Sequence, residues 1–196
     1  MMRIGMIESP SDFRWQYLPK FPVDILSNLI EVFLSEFSED DIRTKPNEVD
    51  CVGDGYARMF MREIEINSSL IYDKCLFLIS DPRSGISNIH TDKSRNYSLN
   101  FPIRVDREKG CFLSGYHRQY KYYDWKESVT MNGMETNQFG YTKKDFEKVA
   151  LDQPIILNTK IPHSWMNESY DYRIVGSLFL KEKQLDKALD IVKDWV

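Results

Sequence analysis

Three side chains in this sequence have the types and spacing to hold a metal ion. His90 and Asp92 stand two residues apart in Ile89-His90-Thr91-Asp92, and His163 follows 71 positions after Asp92. Residues two apart on an extended strand point to the same side, so His90 and Asp92 can converge on one ion. Two imidazoles and one carboxylate on one face of a metal leave the opposite positions open, an arrangement suited to iron(II). Ten residues beyond His163 comes Arg173, at the head of the run Ile174-Val175-Gly176-Ser177-Leu178-Phe179-Leu180. A cation entering such a run is costly to bury unless paired. A guanidinium can grip a carboxylate through two parallel hydrogen bonds. Together the four residues point to a metal centre with its own anchor for an acidic cosubstrate.

Each piece has a plainer explanation. His90 and Asp92 can be a surface pair, His163 a satisfied core or turn histidine, and Arg173 a strand-end cation paired with Asp171. His117, the third histidine, lies among Tyr116, Arg118 and Tyr120 with no carboxylate at two-residue spacing, and is assigned mainly a structural role, with lining of the cleft as the alternative. The conjunction favours the metal site: the short turn through Asn167-Glu168-Ser169 brings His163 and Arg173 to a similar level.

The elements that must position these residues are mostly strands. Ile86–His90, Tyr97–Ile103, Gly110–His117, Pro154–Asn158, Ile161–Trp165 and Tyr172–Leu180 carry apolar or alternating patterns, and Cys75–Ser80 is a short apolar run. Gln119–Tyr123 is rich in tyrosine and extends toward a cleft, where Tyr122, Tyr123 and Trp125 either line a substrate wall or simply pack on a sheet. Pro22–Phe37 reads as a helix, with Leu26, Leu29, Ile30, Phe33 and Phe37 in one stripe. A weaker helix is expected over Tyr56–Ile66. A short one is expected from Thr142, with Phe146, Val149 and Ala150 on its apolar side. The chain ends in an amphipathic helix marked by Leu185, Ala188, Leu189, Val192 and Trp195. Glu39–Pro46 and Val129–Tyr141 read as loops. Helices at both ends with many strands between predict a mainly β fold, a jelly roll buttressed by helices, in one domain. Its parts are a helical N-terminal support over residues 1–73, a jelly-roll core over 74–181 and a C-terminal helix over 182–196.

Composition excludes some functions. The formal net charge is −4 and no basic block occurs, which gives nucleic-acid binding no electrostatic support. The longest apolar run, around Cys75–Ile79, is far short of the ~20 residues of a membrane span, and the first residues do not resemble a signal peptide. Three cysteines, Cys51, Cys75 and Cys111, without a Cys-x-x-Cys, suggest reduced thiols and a cytoplasmic protein.

The pattern His90-x-Asp92, His163 and Arg173 resembles the iron(II)- and 2-oxoglutarate-dependent dioxygenases. The segments Asn88-Ile89-His90-Thr91-Asp92, Leu99-Asn100-Phe101-Pro102-Ile103, and Asn158-Thr159 before Pro162-His163-Ser164 and Asn167 are similar to small bacterial and phage-encoded members, over about residues 74 to 181. The resemblance implies a double-stranded β-helix. It also implies that His90, Asp92 and His163 bind iron(II), that Arg173 pairs with the distal carboxylate of 2-oxoglutarate, and that molecular oxygen is consumed in hydroxylating a substrate. Some relatives place a serine two residues after the arginine. Here that position is Val175, and Ser177 lies one pleat further on the same face. The second cosubstrate ligand is therefore open among Asn100, Tyr97 and Arg95. Other readings are a cupin-like metalloenzyme that does not use 2-oxoglutarate, and a non-catalytic jelly-roll binding module. A small molecule, an amino acid or a peptidyl side chain would serve as substrate, and the chain would act as a monomer or homodimer.

Overall fold

The structure, a computed structural model, describes residues 13–36, 38–44, 49–51, 71–93, 95–116, 125–131, 134–140, 145–180 and 185–196. In chain order the elements are β1 (Trp15–Tyr17), α1 (Val23–Glu36), α2 (Glu39–Thr44), β2 (Val49–Cys51), β3 (Ile71–Ser80), β4 (Gly85–Ile86) and β5 (Ile89–Asp92). There follow β6 (Tyr97–Arg104), β7 (Gly110–Gly115), β8 (Trp125–Met131), β9 (Met134–Phe139), β10 (Phe146–Ala150), β11 (Ile155–Asn158), β12 (His163–Asn167), β13 (Arg173–Leu180) and α3 (Leu185–Val192), which ends in a tighter turn over Lys193–Trp195.

The strands form two sheets, ordered β1-β11-β6-β13-β3-β2 and β10-β7-β12-β5-β9-β8, with β4 paired to β12. Every recorded pairing is antiparallel. Alternation gives each sheet two distinct faces. On the six-stranded sheet, Tyr97, Leu99, Phe101, Ile156, Leu178 and Leu180 form a core with Leu185, Ala188 and Val192 of α3, and Ile25 and Leu26 of α1 pack against it. Burying a leucine or isoleucine there contributes about 1.5–3 kcal/mol each. The opposite parity, Ser98, Asn100, Val175, Ser177 and Phe179, faces the second sheet. Phe112, Val149, Leu151, Ile155, Leu157 and Val175 form a second large apolar cluster, with Trp165 against it.

Four sequence expectations are corrected. Residues 39–44, read as a loop, are helical: Ser38 Oγ accepts from the Asp41 amide at 3.1 Å, and Asp41 Oδ2 accepts from the Ser38 amide at 3.0 Å. This reciprocal cap satisfies two otherwise orphaned donors, and buried Ile42 anchors the helix on Phe77, Ile79 and Ile174. Residues 129–141, also read as a loop, contain β9 and the last three residues of β8, paired to each other. Residues 146–150, read as helix, are strand β10 paired to β7. Phe146 and Val149, three apart, lie on opposite faces of that strand and enter two different clusters. The first 73 residues are not purely helical, since β1, β2 and the start of β3 belong to the sheet. The expected helix at Tyr56–Ile66 and strand at Gln119–Tyr123 lie outside the described residues.

Candidate metal centre

Strand pairing assembles the site. His90 on β5 is registered opposite His163 on β12, and His163 in turn opposite Ser114 on β7. The imidazole centroids are 4.5 Å apart, and His90 Nε2 lies 3.9 Å from Asp92 Oδ1. One ligand atom from each of His90, Asp92 and His163 falls within 4.8 Å of the others, and all three residues are buried.

The hydrogen bonds fix which atoms face one another. His90 Nδ1 donates to the Asn88 carbonyl and His163 Nδ1 to the Ile161 carbonyl, both at 2.9 Å. A carbonyl only accepts, so the neutral rings carry their protons on Nδ1 and present the Nε2 lone pairs. That is how metal-ligating histidines are oriented. Burial, and then the neighbouring His90, push the His163 imidazole down to about 3, so it is neutral at physiological pH. Burial raises the Asp92 carboxyl, but Arg95 and the two imidazoles outweigh it and hold the group below the usual carboxylate range. Asp92 Oδ2 accepts from Arg95 Nε, while buried Asp92 Oδ1 has no hydrogen-bond partner. Two lone pairs and one bare anionic oxygen facing each other make an arrangement that a divalent cation completes.

The turn after β11 holds this region in place. Asp92 N donates to Thr159 O and Thr159 N to Asn96 O, both at 2.9 Å. Thr159 Oγ1 donates to Arg95 O, and Lys160 Nζ to the carbonyls of Asp92 and Lys93. Asn158 Nδ2 ties the same turn to Phe13 O at 2.8 Å.

Arg173 is 1% exposed, yet Nε, Nη1 and Nη2 all lack a hydrogen-bond partner. Its guanidinium stacks 4.4 Å from the Trp165 ring, which offers no acceptor to the N–H groups. Asp171 is not its partner: that carboxylate is exposed and lies 3.7 Å from Arg104. Burial pushes the Arg173 guanidinium down to about 9, so it remains charged at neutral pH. A buried arginine with its donors unspent asks for an anion.

No protein-family model matches the sequence, and no curated protein matches it. Solved structures do match. AviO1 from Streptomyces viridochromogenes Tue57 aligns at a TM-score of 0.50 and 9% identity, over 90% of this chain and 93% of that one. EvdO2 from Micromonospora carbonacea var. aurantiaca, complexed with 2-oxoglutarate, aligns at 0.52 and 10% identity, over 93% and 94%. The epimerase SnoN, in complex with Fe3+, alpha ketoglutarate and nogalamycin RO, aligns at 0.52 and 12% identity, over 86% and 79%. The shared fold is a double-stranded β-helix.

Within this β-helix the remaining sequence candidates separate. Asn100 and Ser177 are registered side by side on β6 and β13, fully buried, on the same interior face as Arg173. Asn100 Nδ2 donates to Ser98 Oγ at 3.0 Å, which leaves Oδ1 unpartnered, as is Ser177 Oγ. Turning the amide over would let Ser98 donate instead and offer Nδ2 to a ligand. Tyr97 is not brought to the site: its ring packs on Phe13, 6.1 Å between centroids, in the helix-side core. Arg95 lies against Asp92. Tyr122, Tyr123 and His117 lie outside the described residues, as does the Trp125 side chain. Cys111 is buried and free, and burial pushes its thiol up to about 11.

Sequence reasoning missed Ser114, Thr136 and Gln138, buried polar residues opposite His163, Asp92 and His90 on the neighbouring strands. Their only signal is register, which becomes visible once the pairing of β5 and β9 is known. Among the described residues no helix is long and apolar enough to cross a membrane.

Proposed function

We propose that this chain is an iron(II)- and 2-oxoglutarate-dependent oxygenase that hydroxylates a small-molecule, amino-acid or peptidyl substrate. In this reading His90 Nε2, His163 Nε2 and Asp92 Oδ1 hold the metal. Iron(II), when bound, supplies oxygen activation coupled to decarboxylation of the cosubstrate to succinate. Arg173 takes the distal carboxylate of 2-oxoglutarate, and Ser177 and Asn100 contribute neutral polar contacts along the same wall. The two arginines and the buried interior favour a dianionic occupant beside a divalent ion.

The observation that carries the reading is Arg173. A metalloenzyme without an acidic cosubstrate would keep a buried cation with three unspent nitrogens in its interior, at a cost of several kcal/mol and with no gain. That EvdO2 is complexed with 2-oxoglutarate, and SnoN with Fe3+ and alpha ketoglutarate, supports the same assignment on this fold. SnoN is an epimerase, so hydroxylation is a reading of the outcome to be tested separately.

The test is anaerobic addition of iron(II) and 2-oxoglutarate. The expected result is a visible charge-transfer band that disappears in His163→Ala, with slow succinate release when air is admitted. No band and no succinate would overturn the proposal. A candidate substrate that accelerates succinate release and gains one oxygen atom by mass establishes hydroxylation.

A further inference from the structure

Asp92 is the only carboxylate of the trio, and its two oxygens are treated differently. Oδ2 is held by Arg95 Nε, whereas Oδ1 is bare and faces His90 Nε2. A carboxylate free on both sides can bind a cation through either oxygen or through both. Binding through both would occupy one of the positions that a cosubstrate and oxygen need. An N–H fixed on Oδ2 occupies one of that oxygen's two lone-pair sites and holds the carboxylate from turning both oxygens to one cation.

Arg95 is held at its guanidinium by Phe179 and at its backbone by the turn after β11, while its buried Nη1 has no hydrogen-bond partner. Its guanidinium lies 3.6 Å from the Phe179 ring centroid, its carbonyl accepts from Thr159 Oγ1 at 2.9 Å, and the next residue's carbonyl accepts from Thr159 N. The side chain is 8% exposed. An arginine that only balanced the charge of Asp92 would not need this degree of fixation. A flat group that has to keep one N–H on one oxygen does.

We propose that Arg95 is a positioning residue that keeps Asp92 a one-oxygen metal ligand and thereby preserves an open coordination position. This deepens the metal-site reading above and rests on it. Arg95 touches the ligand and not the metal, so its removal should change the coordination sphere without removing any ligand.

The experiment is a cobalt(II) titration of the metal-free protein, followed by visible absorption and calorimetry, for the unmodified chain, Arg95→Met and Arg95→Gln. Glutamine keeps a flat polar group near Phe179 and serves if the methionine variant does not fold. The expected result is cobalt(II) affinity lowered by about tenfold or more, with an altered visible spectrum as the second carboxylate oxygen enters the coordination sphere. A purely structural Arg95 would lower the melting temperature of the metal-free variants and leave affinity and spectrum as in the unmodified chain, and that result would overturn the proposal. Failure of the unmodified chain to bind cobalt(II) would instead remove the metal site itself, so the two readings fail in different samples.

Discussion

Replacing Arg173 by methionine should move two measurements in opposite directions. The guanidinium is fully buried, and burial lowers its pKa well below the ordinary value, to about 9. At 1.36 kcal/mol per unit this corresponds to a desolvation penalty on the order of 5 kcal/mol, carried by the ligand-free protein. Methionine occupies a similar volume without that penalty. It forfeits the stacking on Trp165, worth about 0.5–2 kcal/mol. The net expectation is a ligand-free protein more stable by about 3–4 kcal/mol, which for a chain of this size raises the melting temperature by about 6–16 °C. The same change should weaken 2-oxoglutarate binding by about 2 kcal/mol or more, some thirtyfold, because it removes one half of a buried charge pair. Thermal denaturation of the metal-free protein and calorimetric titration of 2-oxoglutarate into the manganese(II) form read the two effects. A variant less stable than the parent, with cosubstrate affinity within about threefold, would show that Arg173 serves the fold and not a ligand.

Other outcomes follow from the same geometry. The folded-state pKa of His163 lies near 3, below the ordinary 6.5, so between these values the unfolded chain binds more protons and stability falls as pH falls. Between pH 7 and pH 5 the metal-free protein should lose about 2 kcal/mol relative to His163→Asn; parallel pH profiles from denaturant titrations would contradict this. Ser177→Ala removes a buried hydroxyl with no protein partner, so it should leave stability within about 0.5 kcal/mol. It should weaken 2-oxoglutarate by about fivefold, and a calorimetric affinity equal to the parent's would take Ser177 out of the cosubstrate wall. Asn167 donates to the carbonyls of Ser80, Asp81 and Asp171 and accepts from Ser169. Asn167→Ala should therefore cost about 2–4 kcal/mol in equilibrium unfolding, and a cost below about 1 kcal/mol would show that the turn closes without it.

The grouping of His90, Asp92 and His163 and the entry of Arg173 into the interior were legible because these residues sit on strands whose alternation is plain. The metal trio needs only a two-residue spacing and a distant histidine, and Arg173 announces itself by entering an apolar run. The Glu39–Thr44 helix was also legible in principle: Ser38-Glu39-Asp40-Asp41 is a capping-box pattern, overlooked because only Ile42 gives the helix an apolar anchor. The hairpin of β8 and β9 was not legible. Thr136 and Gln138 face a polar interior, so the strand lacks the apolar alternation by which strands are recognised. Strand β10 misled for the converse reason. Both of its faces are buried at different positions, and Phe146 and Val149 mimic a helical stripe. Tyr97 misled as well: it stands three residues from Asn100, and strand alternation puts the two on opposite faces of β6.

The seam between β5 and β12 is narrow: His90 opposite His163 is the single residue pair that registers these two strands. An ion held by both imidazoles and by Asp92 would span this seam as a removable cross-link, tying together positions 71 residues apart. By the chain-entropy estimate, a covalent bridge of that loop length contributes about 4 kcal/mol. Metal loading would thus act on this protein much as oxidation acts on a thiol pair. A chelator should let the seven-stranded sheet part first between β5 and β12, with amide exchange rising at His90 and His163 before it rises in the helix-side core.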